Sequence, residues 1–461
     1  MNTLIVDIGT TVVKFYLFEG LSSMLWHTER RFEQRRQGLS VETDMPAVLE
    51  GIGGALAEAG DYAQANAIRV DAVALTAQRS SVMPVAQDGE PLASMMMWQD
   101  HRADGICRAL APKADRIHEI CGMRPTSVFS APKIVWLMQN RPEVCSRASR
   151  FVGFYEWIAH WLTGEWVTDD SVASRSCLYD LAAGCWSDEL LELFGIDKSK
   201  LCQIAPVGSR LPLSAPVSRL LRQQGPVEVV LAGGDQQCAA VGAGCLAPGD
   251  WQINAGTGAY ILGMMDPRWP RSGGELRFNA SSLPPSLLAE ASLTHCCTAV
   301  DRLVRLMYGN GSILDFCRDA ADSLEWRESW RISPRMLGDS SVMDDEQARR
   351  KIAEWKSRYT DGEIASALLE GIVDDLASQA ASVVHACRGE GKRRVICGGG
   401  LTRCSAFCQR LADRLDIEAA VPEFENITAL GALVVANSAA LDPKRCWEGL
   451  GLSLTSYIPR N

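Results

Sequence analysis

Asp235 follows the apolar run VEVVLAGG at 227–234, a pattern that predicts a buried strand ending at an open cleft. A carboxylate at such a strand end can accept the proton of an alcohol as the alcohol oxygen attacks. Phosphoryl transfer requires a group of this kind, together with alignment of the reactants and neutralisation of charge. Alternatively, Asp235 could be the N-cap of a helix formed by QQCAAVGAG, because aspartate is a common capping residue.

Two turns built on Gly-Thr lie about half a chain apart, in DIGTTVVK and NAGTGAY. Glycine lets the backbone approach a ligand closely, and successive N–H groups in such a turn can surround an anion. Thr10 and Thr11 add hydroxyl donors. The two Gly-Thr turns together predict a phosphate site shared between two hairpins. A Walker P-loop is not predicted, since no G-x-x-x-x-G-K-[ST] occurs. The aligned positions are Asp7 with Asn254, Gly9 with Gly256, and Thr10 with Thr257.

Two further features suit a nucleotide and its metal. Asp7 lies within an apolar run, and a buried carboxylate is costly unless it is paired. A divalent cation, bound directly or through water, would remove that cost. The stretch RRVICGGG at 393–400 adds a backbone platform for a flat group such as adenine. The plainer alternatives are a hairpin with polar turn residues and a tight glycine turn.

A further polar group combines TAQRSSV and WQDHR, which begin at Thr76 and Trp98. Arg79 and Asp100 each follow an apolar run, so both could line one pocket. A guanidinium and a carboxylate can bind the vicinal hydroxyls of a polyol, and an indole ring can cover its carbon chain. Alternatively, the arginine and the aspartate form a structural pair, with Asp100 and Arg102 supporting the wall.

These groups need a scaffold, and the sequence supplies short β-branched runs that end in polar or glycine-rich loops, where α/β folds place their chemistry. Strand-turn-strand patterns at 4–20 and 251–265 open two similar halves. They predict two related α/β domains, 1–246 and 247–461, that face each other. Helical patterns begin at Ser130, Tyr155 and Ile364, and an exposed helical excursion is expected over 322–363.

Composition is that of a globular protein and excludes several other classes. The 461 residues are enough for about two or three domains, and a net charge of −10 disfavours nucleic acid and anionic membranes as partners. No apolar run of about 18 residues occurs, so no membrane span is expected. The 16 cysteines are scattered without a C-x-x-C, which is typical of free thiols. A cytoplasmic protein is expected, which could form a homodimer.

Taken in order along nearly the whole chain, these motifs resemble the FGGY family of carbohydrate kinases, which includes glycerol, xylulose and gluconate kinases. The ordered set carries the resemblance, since single motifs of this kind are common. The matching stretches are DIGTTVVK, QRSSV, GEPLASMMMWQDHR, FSAPKIVWLMQN, WLTGEWVTDDSVASRSCLYDL, AGGDQQ, NAGTGAY, GGGLTRCSAFCQRLAD and ENITALGA.

The resemblance implies an α/β fold of two ribonuclease-H-like domains, of the actin and heat-shock-chaperone ATPase superfamily, with the active site in the interdomain cleft. It implies ATP and Mg²⁺ as cofactors, Asp235 as the catalytic base, and Asp7 with Asp235 at the metal. The implied substrate ligands are Gln78, Arg79, Trp98, Asp100 and Gln236, and the implied ATP ligands are Gly9, Thr10, Thr11, Lys14, Gly256, Thr257, Gly258, Gly399, Gly400 and Arg403.

Two departures from glycerol kinases bear on the substrate. Those enzymes usually place glutamate where Ser80 stands and tend to place tyrosine where Val128 stands. A site built to bind hydroxyls discriminates strongly between substrates, so loss of both polar groups should shift substrate selectivity. The smaller side chains of Ser80 and Val128 also leave room for a larger substrate. The expected substrate is a ketopentose such as xylulose, or a related longer polyol, with glycerol as the alternative. Xylulose kinases usually have Met-His at Gln78 and Arg79, so that pattern is not matched fully either.

Two other classes remain open. One is a non-catalytic member of the same superfamily that uses nucleotide to switch a partner-binding surface. Asp235 and the WQDHR stretch disfavour it, since a switch needs neither an alcohol base nor a polyol pocket. The other is a metal-dependent hydrolase that uses Asp7, Asp235 and His101, one of only 6 histidines.

Overall fold

The computed structural model describes residues 1–256, 258–271, 274–293, 295–309, 312–323, 330–339 and 342–460. Two large mixed sheets organise it, one of six strands from the N-terminal half and one of seven from the C-terminal half. The strands are β1 (Asn2–Ile8), β2 (Val12–Glu19), β3 (Ser23–Arg31), β4 (Arg35–Gln37), β5 (Ser40–Thr43), β6 (Ala72–Ala77), β7 (Met83–Val85), β8 (Met95–Met96), β9 (Arg150–Val152), β10 (Val167–Asp169), β11 (Tyr179–Asp180), β12 (Cys185–Trp186), β13 (Gln203–Ala205), β14 (Arg210–Pro212), β15 (Glu228–Gly234), β16 (Trp251–Ala255), β17 (Ala259–Met265), β18 (Arg277–Ala280), β19 (Leu287–Leu293), β20 (Arg394–Gly398), β21 (Glu418–Pro422) and β22 (Leu454–Tyr457).

The N-terminal sheet has the order β14-β15-β6-β1-β2-β3. β1, β2 and β3 form an antiparallel meander, and β6 and β15 add to β1 in parallel. β1, β6 and β15 are almost entirely buried, which explains their continuous apolar runs. Because these three strands run parallel and in register, their carboxyl ends lie side by side and bring Asp7, Gln78 and Asp235 to one edge of the sheet.

The C-terminal sheet repeats this plan in the order β18-β19-β17-β16-β20-β21-β22. β16, β17 and β19 correspond to β1, β2 and β3, while β20, β21 and β22 correspond to β6, β15 and β14. The antiparallel and parallel pairings match strand for strand, and β18 adds an edge strand. The repeated Gly-Thr hairpins are therefore the first hairpins of two related α/β domains, as the sequence predicts.

Helices pack on both faces of each sheet. α1 (Met45–Ala65) and α6 (Phe154–Thr163) cover one face of the N-terminal sheet, and α15 (Asp361–Ala386) covers one face of the C-terminal sheet. α17 (Ile427–Asn437) packs on the other face of the N-terminal sheet, whereas α10 (Asp235–Gly242) packs on the C-terminal sheet, so these two lie between the sheets. The helices are α1 (Met45–Ala65), α2 (Asp104–Ala109), α3 (Ala114–Cys121), α4 (Ser130–Asn140), α5 (Pro142–Arg147), α6 (Phe154–Thr163), α7 (Asp170–Ala173), α8 (Asp188–Phe194), α9 (Ala215–Leu220), α10 (Asp235–Gly242), α11 (Cys297–Met307), α12 (Ile313–Asp322), α13 (Pro334–Gly338), α14 (Asp345–Lys356), α15 (Asp361–Ala386), α16 (Ser405–Leu415), α17 (Ile427–Asn437) and α18 (Pro443–Gly449), with short 3₁₀ helices at Ala111–Lys113, Lys198–Lys200 and Gly400–Arg403.

α10 and α17 cross with their backbones in contact, and two glycines make this approach feasible. A Cβ added at Gly242 would lie 1.9 Å from Ile427 O, and one added at Gly431 would lie 1.7 Å from Cys238 O. Neither distance is sterically allowed, so a larger residue at either position must push the helices apart. Because each helix packs on the sheet of the opposite half, the crossing fixes how the two sheets face each other.

The segment 322–363 differs in part from its prediction as an exposed excursion. In its described residues, α13 and α14 are helical as expected. However, Leu337, Ile352 and Trp355 are buried in the C-terminal core, because each helix turns one apolar face inward. The domain boundary after residue 246 stays a prediction, and it falls in the connection between α10 and β16.

Gly431→Ala is expected to disrupt the crossing of α10 and α17, because the added methyl group meets the Cys238 carbonyl. The free energy of unfolding should fall by about 3 kcal/mol or more, as in overpacked cores. Denaturant unfolding measures this. The matched control is Gly54→Ala on the exposed side of α1, which has open space at Cβ and should be neutral or stabilising. Equal stabilities of the two variants would contradict the role given to the crossing.

Candidate active site

A cavity of about 190 Å³ lies where the strand ends of the two halves meet. Both Gly-Thr turns and both predicted sugar-binding segments contribute to its wall. Its polar side chains come from the N-terminal and the C-terminal halves of the chain. The lining residues are Thr10, Gln78, Arg79, Ser80, Trp98, Val128, Arg175, Asp235, Gln236, Asn254, Gly256, Gly258 and Tyr260.

Asp235 is the first residue of α10 and follows β15 directly. It is not the N-cap, since Gly234 holds that position, and its Oδ1 accepts the N–H of Gln236 at 2.8 Å. Burial raises the pKa of Asp235, and the charge of Arg79 opposes that rise. Arg79 Nε lies 3.0 Å from Asp235 Oδ1, so it favours the ionised form that a general base requires.

Arg79 is held by residues from both halves of the chain. Its side chain is 7% exposed, and its Nη1 donates to Gln237 Oε1 at 3.1 Å. Gln237 is fully buried and donates in turn to Asn279 Oδ1 at 2.7 Å. Arg79 Nη1 also lies 3.6 Å from Glu290 Oε2 on β19. The guanidinium therefore connects the carboxylate of Asp235 to the C-terminal sheet.

The Trp98 segment forms another part of the wall. Trp98 Nε1 donates to Thr10 Oγ1 at 3.2 Å, which joins the predicted sugar segment to the first Gly-Thr turn. Ser80 and Val128 line the same cavity with small side chains. Gln78 also lines it, although its Nε2 is already bonded to the carbonyl of Gly9 at 3.3 Å.

Gln236 also belongs to the cavity wall. Its Oε1 accepts from Asn254 Nδ2 at 3.4 Å, so this contact joins α10 to the end of β16. Both side chains line the cavity. The predicted substrate residue Gln236 is therefore placed beside the second Gly-Thr turn.

The expectation that Asp100 binds substrate is wrong. Its side chain is fully buried, accepts the N–H of Val41 at 2.9 Å, and does not line the cavity. Arg102 donates to both of its carboxylate oxygens and pairs with Glu42 as well. Arg79 pairs with Asp235, so the alternative of an Arg79–Asp100 pair is not formed either; Asp100 pairs with Arg102 instead.

Lys133 on α4 fixes the backbone behind the same wall. It is fully buried, and its Nζ donates to the carbonyls of Ser80 at 3.2 Å, Phe129 at 3.3 Å and Val128. Burial lowers the pKa of Lys133 to about 7, and the charge of Asp100 opposes this. Ser80 has φ of 72°, a left-handed conformation that is costly for serine and recurs at functional sites.

The two Gly-Thr turns differ from their expected role in one respect. The N–H of Gly9 donates to Val12 O at 2.9 Å, and the N–H of Gly256 donates to Gly258 O at 2.9 Å. Because the turns themselves use these two amides, they are not free to bind phosphate in this conformation. At Gly9 an added Cβ would lie 3.0 Å from Val12 O, so the first turn favours glycine there.

The remaining predicted phosphate ligands surround these turns. Thr10 and Gly258 line the cavity, while Thr11 is exposed at the tip of the first hairpin. Lys14 lies opposite Asp7 in the register of β1 and β2 and is half-buried. Thr257 lies outside the described residues.

Asp7 lies one residue before the end of β1 and meets a residue from the other half of the chain. Its Oδ2 accepts from Asn426 Nδ2 at 2.8 Å, and Asn426 is the N-cap of α17, where it accepts the N–H of Ala429. Burial raises the pKa of Asp7 to about 6; the Asn426 hydrogen bond opposes the rise, and the charge of Asp235 adds to it. Asp7 and Asp235 are neighbouring carboxylates, so each makes ionisation of the other less favourable. Their oxygens together suit a hard divalent cation.

A second cavity, of about 170 Å³, lies beside the glycine loop that follows β20. Gly399 has φ of 92°, and a Cβ there would lie 2.4 Å from Ala255 O, so glycine is required for the loop to reach the end of β16. Arg403 lines this cavity and pairs with Glu425, while Phe424 supplies a flat apolar wall. Gly400 is exposed beside Gly399. The cavity lies beside Gly399 and Arg403, so the prediction of an adenosine region stays open at this position.

Sequence reasoning missed six polar side chains at the site. Three lay within recognised motifs: Gln237 is the second glutamine of GGDQQ, Tyr260 belongs to NAGTGAY, and Asn426 belongs to ENITALGA. Asn254 was marked by its alignment with Asp7, and Arg175 lies in the stretch SVASRSC. For Glu290 the available signal was a lone carboxylate in the apolar run LLAEASL, where burial requires a partner.

Neither a metal cluster nor a membrane helix is found among the described residues. There, no three His, Cys, Asp or Glu side chains lie close enough to hold a metal ion by themselves. His101 does not join Asp7 and Asp235, because its ring contacts Ser127 and Asp104 away from the cavity. The hydrolase alternative therefore lacks its third ligand. In the same ranges, every helix is too short or too polar to cross a membrane.

Two related α/β domains meet at one cavity, and the carboxylate of Asp235 lies there at a strand end, an arrangement that suits phosphoryl transfer to an alcohol. The chain belongs to the FGGY family of carbohydrate kinases: the family's N-terminal domain matches residues 2–242, and its C-terminal domain matches residues 329–440. It is thus an enzyme that transfers phosphate to an alcohol group, and the alternative of a non-catalytic switch is wrong. The glycerol kinase of Thermus brockianus is 30% identical over 452 residues, covering 93% of this chain and 88% of that protein.

Solved structures of sugar and polyol kinases share the fold. The xylulose kinase of Rhodospirillum rubrum superposes with a TM-score of 0.87 at 19% identity, covering 100% of this chain and 94% of that chain. The Plasmodium falciparum glycerol kinase with ADP gives a TM-score of 0.83 at 21% identity, with the same coverage. These likenesses confirm the predicted fold of two ribonuclease-H-like domains.

Lys133→Met should weaken both stability and sugar binding, because it leaves the buried carbonyls of Ser80, Val128 and Phe129 without their donor. We expect the free energy of unfolding to fall by about 2 kcal/mol or more, and KM for the sugar to rise more than KM for ATP. Denaturant unfolding and initial rates measure these changes. Lys113→Met, at an exposed lysine, is the control. If the two variants behave alike, Lys133 does not support the wall.

Proposed function

We propose that the chain phosphorylates a hydroxyl group of a small sugar or polyol longer than glycerol, with ATP as the phosphoryl donor. A ketopentose such as xylulose is the first candidate. The observation that carries the proposal is one cavity in which Asp235, paired with Arg79, shares a wall with Trp98 and the turn at Gly258. Phosphoryl transfer to an alcohol of a sugar uses a base for the hydroxyl proton, an aromatic surface for the carbon chain and a turn beside the phosphate.

In the proposed reaction the substrate hydroxyl lies against Asp235 and attacks the γ-phosphorus of ATP. As the new O–P bond forms, the bond to the bridging oxygen breaks and ADP leaves, while the hydroxyl proton passes to the Asp235 carboxylate. Arg79 favours the ionised form of that carboxylate before transfer, since its buried guanidinium lies 3.0 Å away. Thr10 and Gly258 lie on the two hairpins that would flank the transferred group.

Mg²⁺ fits the carboxylates of Asp7 and Asp235. Mg²⁺ keeps several waters and usually takes one or two carboxylates plus substrate phosphates, so a protein cluster of three ligands is not required. When bound, it would offset the negative charge of the β- and γ-phosphates. Lys14 lies on the same face of the hairpin as Asp7 and would approach the same phosphates. Adenosine would occupy the second cavity, beside Gly399 and Arg403.

Ser80 and Val128 support a substrate larger than glycerol. Both line the cavity, and neither supplies the carboxylate or the phenol that glycerol kinases use at these positions. Fewer polar groups and more space favour a longer carbon chain. Glycerol is the second candidate, because a relative with 30% identity is a glycerol kinase.

Asp235→Asn is expected to lower sugar-dependent ADP release by about 10²–10⁴-fold, because an amide cannot accept the hydroxyl proton. A coupled ADP assay measures turnover, and calorimetric titration should show that the variant still binds nucleotide. Asp188→Asn is a matched control: Asp188 is also the first residue of a helix, but its side chain is 84% exposed and lies outside the cavity. The base assignment is wrong if both variants turn over at the wild-type rate.

Substrate length is tested by a panel of glycerol, tetritols, pentitols, ketopentoses and hexitols. Wild type should show its highest kcat/KM with a ketopentose or longer polyol. The double substitution Ser80→Glu with Val128→Tyr restores the polar groups of glycerol kinases and fills space, so it should move the ratio towards glycerol by about tenfold or more. A wild-type kcat/KM that is highest for glycerol would favour the second candidate and contradict the first.

A further inference from the structure

Two consecutive backbone amides directly before Asp235 donate to buried side-chain hydroxyls. The N–H of Gly233 donates to Tyr155 Oη at 3.2 Å, and the N–H of Gly234 donates to Ser171 Oγ at 3.0 Å. Tyr155 lies on α6 and Ser171 on α7, and both side chains are fully buried. Side chains from two helices therefore hold the end of β15 that presents Asp235.

Asp169 orients both of these hydroxyls. It ends β10, is fully buried and is the N-cap of α7. Its Oδ2 accepts the hydroxyl proton of Tyr155, and its Oδ1 accepts that of Ser171 at 2.6 Å. A hydroxyl has one proton, so after that proton is donated only lone pairs remain to face an amide. Burial raises the pKa of Asp169 to about 6, and the hydrogen bonds from Ser171 and Tyr155 oppose the rise, so the carboxylate is largely ionised at neutral pH.

The backbone before the base is closely packed and irregular. The pairing of β15 with β6 shifts register between Leu231 and Gly233, and Gly233 has φ of 105°. A Cβ on Gly233 would lie 2.6 Å from Ser171 Oγ, and one on Gly234 would lie 2.5 Å from Arg79 Cδ. The hydroxyl of Ser171 therefore reaches its amide only because the strand carries no side chains at this point.

The start of α7 also holds the partner of the base. The carbonyl of Ser171 accepts from Gln237 Nε2 at 3.1 Å, and Gln237 Oε1 accepts from Arg79 Nη1 at 3.1 Å. Arg79 in turn pairs with Asp235 at 3.0 Å. Ser171 is thus connected to the base twice, through the backbone of β15 and through the guanidinium.

We propose that Asp169, Tyr155 and Ser171 are positioning residues that hold the catalytic base in the orientation needed for proton transfer. All three lie outside the lining of the substrate cavity, so they act through Asp235 and not on the sugar or on ATP. The inference rests on the proposed kinase function and adds to it the residues that orient its base. Such placement matters, because a displacement of about 1 Å can lower a rate by about 10²-fold.

The first test compares Ser171→Ala with Ser176→Ala, using the sugar that gives wild type its highest kcat/KM in the panel. Ser176 is also buried, and its Oγ accepts a backbone amide, that of Leu178, at 3.0 Å, so both variants leave one buried amide without its acceptor. Ser171→Ala should lower kcat about tenfold or more while KM for the sugar and KM for ATP stay within about threefold. Ser176→Ala should keep the wild-type kcat. Denaturant unfolding shows that both variants are folded.

The second test compares Tyr155→Phe with Tyr179→Phe. Tyr179 is also buried and donates to Asp170 at 2.7 Å, but among the described residues its hydroxyl accepts no amide of β15. Tyr155→Phe should lower kcat about tenfold or more with little change in either KM, because the Gly233 amide loses its acceptor. Tyr179→Phe should again keep the wild-type kcat.

A double substitution shows whether these residues act through the base. In an Asp235→Asn background, Ser171→Ala should lower kcat by less than about threefold, because the carboxylate that it orients is already gone. An equal reduction in both backgrounds would overturn the proposal, as would a wild-type kcat in both Ser171→Ala and Tyr155→Phe. Failure of both variants to fold would also overturn it, since the three residues would then be structural. If wild type releases no ADP with any compound in the panel, the proposed kinase function fails instead, so the two failures are distinguishable.

Discussion

Two glycines let α10 and α17 cross with their backbones in contact, and the cavity depends on this crossing. α17 is capped by Asn426, whose side chain bonds Asp7 on the N-terminal sheet, so this contact joins the two halves. α10 begins with Asp235 directly after β15, where Asp235 pairs with Arg79. A longer distance between the helices would weaken the contact of Asn426 with Asp7. The crossing therefore constrains the position of the proposed metal carboxylate.

Electrostatics adds a second constraint across the same junction. Buried charges are costly unless they are paired, and Arg79 serves both Asp235 from α10 and Glu290 from β19. Arg175 also lies 3.1 Å from Glu290, so two buried guanidinium groups share this carboxylate. Phosphoryl transfer with little water present benefits from such fixed charges.

Much of the fold could be predicted from the sequence, because buried strands, tight turns and the repeat of Gly-Thr hairpins are local patterns. The orientation of single side chains could not. In WQDHR, Trp98 lines the cavity, whereas Asp100 accepts the N–H of Val41. The sequence alone does not show which of these neighbouring side chains faces the cavity and which is buried. Contacts such as that of Glu290 with Arg175 join distant parts of the chain, so they exist only after folding.

If alcohol, base and phosphoryl group meet at the junction of the two halves, a crystal structure with the preferred sugar and a non-hydrolysable ATP analogue will show them there. The expected result is a sugar hydroxyl within about 3 Å of the Asp235 carboxylate, a γ-phosphate between the hairpins of Thr10 and Gly258, and adenine beside Gly399. A ternary complex in which the sugar lies elsewhere, or in which no hydroxyl approaches Asp235, would contradict the assignment of this cavity as the active site.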